Sequence, residues 1–286
     1  MLRKKIVIIG SGPNSLNALD IILKLTLKKK INNSISEIII CDENGLFGCG
    51  NTHNINLHPS IVLNRIAGQI ALGAYPFIKF PKKFIKYDYN FMEWLKFKFK
   101  ITKNNKYKLE QTDWPARSLY GESLVEKFYD LLSIFNKETN IKINILNTKV
   151  LSIKKIDKSY LLKTTLSNTI KADKILFCTG ITKRSEGKNT LDLKLKKLFK
   201  NSNSEYISDF LSILPNSRFF KKKNKLNICL LGLGVSSLDI INYFIFNHKK
   251  SKVNFFPISR TGLFPFARPV YQKQKNTKKY EHKPIV

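Results

Sequence analysis

Ile6-Val7-Ile8-Ile9-Gly10-Ser11-Gly12-Pro13-Asn14-Ser15-Leu16-Asn17-Ala18-Leu19-Asp20 is the stretch on which the reading of this chain turns. A β-branched run passes straight into Gly-x-Gly, and a helical pattern follows. That order predicts a buried parallel strand, a tight turn and a helix N-terminus. Gly10 allows the turn, and Gly12, lacking a Cβ, lets an anion approach the backbone. The first helical N–H groups and the helix dipole then face that anion. Pro13 suits the first helical turn, where its missing N–H has no partner to lose. Asn14 follows it, and Ser15 stands where a third glycine is usual, a position that serves helix–strand packing. A second strand, Glu37 to Asp42, follows at crossover spacing and ends in acid. Asp42 or Glu43 is thereby placed to accept hydrogen bonds from the ribose of an adenine dinucleotide. The alternative is a doubly wound sheet that uses glycine only to turn.

The rest of the composition sets limits. At 286 residues and 43% hydrophobic content the chain can bury one large core or two modest ones. No apolar run approaches the roughly 18–20 residues that span a bilayer. Met1 to Lys5 leads directly into the first strand without a signal peptide's apolar region, so a cytoplasmic location is the expectation. Cys41, Cys49, Cys178 and Cys229 form no Cys-x-x-Cys pair. Cys49, His53 and His58 match no common zinc spacing, so no metal is expected. The formal charge of +31 invites a nucleic-acid reading. Its distribution argues otherwise: Arg occurs only at positions 3, 65, 117, 184, 218, 260 and 268, and Lys is spread over most surface segments among Asn and Ile. A/T-rich codons account for that bias, and no specific nucleic-acid binding is expected.

Along the chain, a helix is predicted over about 14–29, then a glycine-dense loop from Gly45 to Gly50 beside the first turn. Phe77 to Ile101 is basic and aromatic, with a short helix around Phe91–Leu95, and reads as packing whose Lys stems cover aromatics. A membrane-surface role is the alternative. Arg117 to Gly121 precedes a helix predicted over about 122–136. Strands over about 141–153, 160–165 and 169–171 read as a hairpin-rich excursion. Lys174 to Gly180 is a buried strand returning to the first sheet, which would set Thr179 and Gly180 beside the same ligand. Residues 183–203 read as a linker with a short helix.

Leu226 to Ile241 repeats the opening logic with Gly232-Leu233-Gly234 and Ser236. The strand after its helix, about 253–259, ends at Arg260 where the first unit ends in acid. A cation there suits the 2′-phosphate of NADPH.

Taken in order, these marks resemble the FAD/NAD(P)-binding proteins with two dinucleotide folds, relatives of flavin-dependent N-hydroxylating monooxygenases. The marks are Gly10-x-Gly12-Pro13, Asp42, Leu63-Asn64 to Gln69, Arg117 to Gly121 and Cys178-Thr179-Gly180. Gly232-x-Gly234 with Leu238-Asp239, and Ser259 to Leu263 with Pro265, complete them. The resemblance implies an α/β fold: a Rossmann-like FAD-binding domain over 1–185, with inserted helical and β-hairpin segments, and an NAD(P)-binding-like unit over 186–270. It implies FAD contacts at Gly10, Gly12, Pro13, Asn14, Asp42, Asn64, Gln69 and Gly180, and nicotinamide-nucleotide contacts at Gly232, Gly234, Ser236 and Arg260. It also implies NADPH reducing FAD and reduced flavin using oxygen to oxygenate a small amine or other nucleophile. Such proteins usually run longer, so the second unit, with two recognisable strands, is expected to be incomplete. The Lys-rich segment 271–286 is expected to be a poorly ordered tail. No catalytic base stands out; His53 and His58 lie in the flavin-side loop. Two other readings stay open: a noncatalytic flavin- or nucleotide-binding module, alone or in a complex with a partner protein or a second copy, and a basic surface-binding protein on a cofactor-free Rossmann scaffold.

Overall fold

The structure, a computed structural model, describes residues 3–31, 34–74, 78–180, 191–200, 207, 225–247 and 252–262. Strand β1 (Lys4–Ile9) lies between β2 (Ile35–Asp42) and β7 (Lys174–Phe177), parallel to both. Strand β3 (Lys142–Asn147) pairs parallel with the far edge of β2, so the sheet order is β3-β2-β1-β7. This corrects the expectation of one strand over 141–153 within a separate hairpin unit. The chain breaks after Asn147, and only β4 (Val150–Ile156), β5 (Ser159–Thr164) and β6 (Thr169–Ala172) form the antiparallel excursion. The Thr148 N–H bonds to the Asp42 carbonyl at 2.9 Å, which carries the β3 pairing one residue further before the chain leaves the sheet.

The β-branched run of β1 is explained by burial on both faces. Ile8, Ile38 and Ile40 pack against Leu16, Leu19 and Leu23 of helix α1 (Pro13–Leu27) and Phe128, Leu131 and Phe135 of helix α3 (Arg117–Glu138). Their alternates Val7, Ile39 and Cys41 pack against Leu162, Ile170 and Ala172 of the antiparallel sheet. Each such side chain contributes about 1.5–3 kcal/mol when fully buried. Helix α3 starts at Arg117, not after Gly121, so the Arg117–Gly121 segment is its opening turn.

Helix α2 (Phe91–Thr102) begins with a reciprocal cap. Asn90 Oδ1 accepts from the Glu93 N–H at 3.0 Å, and Glu93 accepts from the Asn90 N–H at 2.8 Å. It continues well past the predicted Phe91–Leu95 core. Phe80, Phe91 and Trp94 are buried, and Trp94 Nε1 donates to Glu126 of α3 at 2.7 Å. The aromatic stretch thus packs mostly inward, although Phe97 stays exposed. No helix among the described residues is long and apolar enough to cross a membrane.

A buried charge cluster fastens this region to α1. Lys24 Nζ lies 3.0 Å from Asp20 Oδ2 and 2.7 Å from Asp88 Oδ1, with all three side chains almost wholly enclosed. Asp20 also accepts the Ala74 N–H at 2.7 Å, and Asp88 the Phe80 N–H at 2.6 Å. Nearby, buried Lys127 donates to the Tyr87 carbonyl.

Helix α4 (Leu191–Phe199) falls within the predicted linker. Beyond it, β8 (Lys225–Leu231), helix α5 (Val235–Asn247) and β9 (Lys252–Ile258) form a second β-α-β unit, its sheet two parallel strands among the described residues. It rests on the first unit through Leu57 and Ile61, which pack with Leu226, Tyr243 and Phe244. The tail 271–286, Pro265 and Arg268 lie outside the described residues.

Candidate functional site

The first glycine turn is tied to three neighbours. Gly10 N–H donates to the Cys41 carbonyl at 2.8 Å, and Cys178 N–H to the Ile9 carbonyl at 2.7 Å. Gly48 N–H donates to the Ser11 carbonyl at 2.7 Å, bringing the glycine-dense loop onto the turn. A Cβ on Gly10 would drive into the Cys178 carbonyl, and its φ of +91° suits glycine. The fold itself therefore demands Gly10. Gly12 differs: its φ is −75°, and a Cβ there meets Gly50 Cα at 3.7 Å, an ordinary contact. Nothing in the described fold requires glycine at position 12, whereas a closely approaching ligand does.

Gly12 also caps α1 without a side-chain bond, with Pro13 next. The Leu16 N–H is the first of the helix to find its carbonyl, on Gly12 at 3.2 Å, so the Asn14 and Ser15 amides precede the helical ladder. Ser15 Oγ is buried without a hydrogen-bond partner, and Asn14 is exposed. An uncapped helix start, an unneeded glycine and an unpartnered buried hydroxyl are what a dinucleotide's diphosphate would use.

Asp42 and Glu43 lie at this turn in different states. Asp42 Oδ2 accepts from the Ser11 N–H at 3.1 Å and hydroxyl at 2.7 Å, while Oδ1 accepts the Asn44 and Leu46 N–H groups at 3.0 and 3.2 Å. Glu43 is exposed and pairs with Lys149 at 2.8 Å. Thr179 and Gly180 follow β7 directly beside Gly10, both exposed, as expected of a strand returning to the sheet. Asn64 and Gln69 sit on a different strip, 62–69, held by the Leu63 N–H on Pro115 and the Ala67 N–H on Asp113.

The second turn repeats the first register for register. Ile9 is paired with Cys41, and Leu231 with Ile258. Gly232 N–H donates to the Ile258 carbonyl at 2.8 Å, as Gly10 does to Cys41. Gly232 and Gly234 have open space where a Cβ would stand. Ser236 is exposed, whereas Ser237 is buried and donates to the Gly232 carbonyl at 2.5 Å. Arg260 is exposed, two residues beyond Ile258.

A sequence family described as FAD-NAD(P)-binding matches residues 7–182. The chain belongs to the FAD-NAD(P)-binding family. FAD and NAD(P) are the nucleotides of that family. No curated protein matches it by sequence. Among solved structures it is similar to the ornithine N-hydroxylase of Kutzneria sp. 744, described with reduced FAD, NADP+ and L-ornithine (TM-score 0.56, 14% identity, 91% of this chain and 54% of that one). It is also similar to the ornithine hydroxylase of Pseudomonas aeruginosa (0.56, 11%, 90% and 55%) and the L-lysine 6-monooxygenase of Pseudomonas syringae (0.54, 13%, 88% and 53%). At such identities the likeness concerns the fold. This FAD-NAD(P)-binding chain spans about half the length of those relatives.

Between the family member's two turns lies a polar seam that spacing did not reveal. Arg117 Nε donates to the Val62 carbonyl at 3.1 Å, and Nη2 reaches Asp239 of α5 at 3.3 Å. Burial raises the Asp239 carboxyl, and the guanidinium opposes that rise. His58 meets Tyr243 edge-on, and His53 meets Tyr120 likewise. His53 Nδ1 is buried without a partner. Burial first, and then the Arg117 charge, pull the His53 pKa down to about 4. His53 is thus neutral in the folded protein above that pH and takes no proton from solvent near neutrality. The unfolded chain takes up this proton near pH 6.5, so stability falls as pH drops from about 6.5 to about 4, by at most about 3 kcal/mol. His53→Phe keeps the ring contact and should flatten that part of the curve. Unfolding free energies of both proteins between pH 4 and 7 check this; parallel curves would refute it.

Among the described residues, no group of three or more His, Cys, Asp or Glu side chains is arranged to hold a metal ion.

Proposed function

We propose that the protein is an FAD-dependent oxidoreductase, reduced by NADPH and monooxygenase-like, acting on a small molecule. The observation that carries this reading is the Gly12 turn, where glycine serves an incoming ligand and the fold is indifferent to it. In this reading the Gly10–Ser15 segment holds the diphosphate of FAD, its Asn14 and Ser15 amides donating to phosphate oxygens. Asp42 or Glu43 serves the adenosine ribose, and Asn64, Gln69, Thr179 and Gly180 line the flavin side. Gly232, Gly234 and Ser236 hold the diphosphate of NADPH, with Arg260 at its 2′-phosphate. Residues 1–185 form the flavin unit, and 186–270 the nicotinamide unit. Bound FAD would supply hydride acceptance and oxygen activation. The protein supplies position, and neutral His53 keeps a charge off the loop. Relatives that act on ornithine and lysine favour a small amine as substrate. The protein is taken to work in the cytoplasm without a specific nucleic-acid partner.

A second reading is a flavin-binding module without catalysis, completed by a partner protein or a second copy. It is favoured by the second sheet, which has two strands among the described residues and on which Leu231, Phe256 and Ile258 are exposed. An absorbance spectrum of the purified protein with FAD, followed by anaerobic NADPH, separates the readings. Flavin absorbance that bleaches on NADPH addition supports the oxidoreductase. Absorbance that persists supports the module, and a protein that takes up no flavin refutes both.

Gly12→Ala tests the site itself. Its Cβ fits the described fold, so the melting temperature should stay within about 3 °C of the parent. FAD affinity, followed by flavin fluorescence, should fall about 100-fold, since the methyl group occupies the approach of the diphosphate. Unchanged affinity would place the ligand elsewhere.

A further inference from the structure

Helix α2 carries more apolar side chains than the core takes up. Phe91, Trp94 and Leu95 are buried, and Met92 and Phe99 pack partly against the core. Phe97 and Ile101 are instead 60% and 62% exposed. Each is preceded by an exposed lysine, Lys96 and Lys100. Residues four apart share one face of an α-helix, so the apolar pair and the basic pair run side by side along the outer surface of α2. Lys103, also exposed, ends that surface in the left-handed residue that closes the helix.

This face belongs to a helix that is firmly seated. The reciprocal Asn90–Glu93 cap closes its start, and Trp94 and Lys98 both bond to Glu126 of α3, at 2.7 and 2.5 Å. Glu93 is the only acid in α2, and its carboxylate is engaged by the Asn90 N–H. The half of the helix that bears Phe97 and Ile101 therefore has lysines as its only charged side chains. We propose that this face of α2 rests on the surface of an anionic bilayer, with Phe97 and Ile101 at the acyl boundary and Lys96, Lys100 and Lys103 among the headgroups.

Charge complementarity selects this occupant. A second copy docked on the same face would set the three lysines against their own counterparts. A nucleic acid would pair with the lysines, but Ile101 has no ring on which a base could stack and would stay in water. An anionic bilayer meets both halves of the face: phosphates and carboxylates for the ammonium ends, hydrocarbon for the apolar pair, and lysine stems spanning the step between them. The contact is peripheral, because the inner face of α2 is held in the protein core. The formal charge of +31 draws anionic surfaces from many directions. The apolar pair decides which side stays, since it gains from hydrocarbon as solvated lysines alone do not.

The test is co-sedimentation of the full chain with phosphatidylcholine vesicles, with and without phosphatidylserine, at about 0.15 M salt. The parent protein should bind the anionic vesicles and leave the neutral ones. Phe97→Ala combined with Ile101→Ala should weaken that binding at least tenfold. Its melting temperature should be unchanged, because both side chains are exposed in the free protein. Leu166→Ala removes a similarly exposed side chain, 53%, from the turn between β5 and β6, and should bind as the parent does. Phe97→Trp should add an emission that shifts to the blue when anionic vesicles are present. Binding undiminished in the double variant, or lowered equally by Leu166→Ala, overturns the proposal, since overall charge then suffices. A Phe97→Trp emission that does not move overturns it as well. So does a parent protein that ignores both kinds of vesicle, and one that also binds RNA at this salt gives the face to nucleic acid instead.

Discussion

Gly121→Ala should destabilise the protein by about 4 kcal/mol, among the larger losses a single methyl group can cause. Helix propensity alone gives the opposite sign, since alanine in a helix interior gains about 1 kcal/mol over glycine. Contact decides against propensity here. Gly121 lies in α3 where the loop from Asn51 to Ile55 crosses it, and an added Cβ would enter the His53 carbonyl oxygen. The obstacle is main chain, so no rotamer change relieves it. Ile55 Cγ2, at 3.5 Å, would be in ordinary contact, so the clash is with the main chain alone. The helix and the loop must separate, disturbing the His53–Tyr120 contact and the neighbouring Arg117 seam. Urea unfolding of the variant beside the parent measures the loss. A difference below about 1 kcal/mol would mean that the loop lies off the helix.

Lys24→Met should cost about 3–5 kcal/mol, for an electrostatic reason. Methionine fills much of the volume of the lysine stem, so packing contributes little. What is lost is the only cation placed between Asp20 and Asp88 by the described ion pairs. Both carboxylates are almost fully enclosed and cannot turn to water. Each also accepts a main-chain amide, from Ala74 and Phe80, so neither can leave without unfastening the segment that covers α1. Adding Asp88→Asn to Lys24→Met removes one of the stranded charges and should recover part of the loss. Guanidinium unfolding of the single and double variants tests the assignment. A double variant no more stable than the single one would show that shape, not charge, holds Lys24 in place.

Much of the fold was readable before any coordinates, and for one reason. A strand buried on both faces must be apolar at every position, and a phosphate-binding turn must contain glycine. Ile6 to Gly12 carries both signals within a few residues; Leu226 to Gly234 repeats the glycine turn, although its strand buries only the Leu226–Leu230 face and leaves Asn227, Cys229 and Leu231 exposed. The return of Lys174 to Gly180 to the first sheet was legible from its apolar run into glycine, but β7 is not the buried strand expected: as the edge of the described sheet it leaves Leu176 and Phe177 exposed. The strand over 141–153 was not. Its break after Asn147 comes from pairing with β2, more than a hundred residues earlier in the chain, and spacing carries no trace of such a partner. The start of α3 at Arg117 was hidden similarly, because its cap position holds Ala116, which makes no side-chain cap bond.

At the candidate site, the glycines and the two acids were visible as residue types. Their hydrogen-bond partners were not. From the amino-acid order alone came two strand–turn–helix units, the first ending in Asp42-Glu43 and the second in Arg260, because local period and turn chemistry are short-range properties. Only the folded chain decided that Gly10 answers to Cys178, that Gly12 answers to no neighbour, and that Asp42 is consumed by Ser11 and its own loop. It likewise decided that Arg117 spans to Asp239 and that Lys24 sits between two acids. Each of these depends on which distant groups share a small volume. Hydrogen-bond capacity and charge compensation are settled there, among neighbours in space that the chain brings together only by folding.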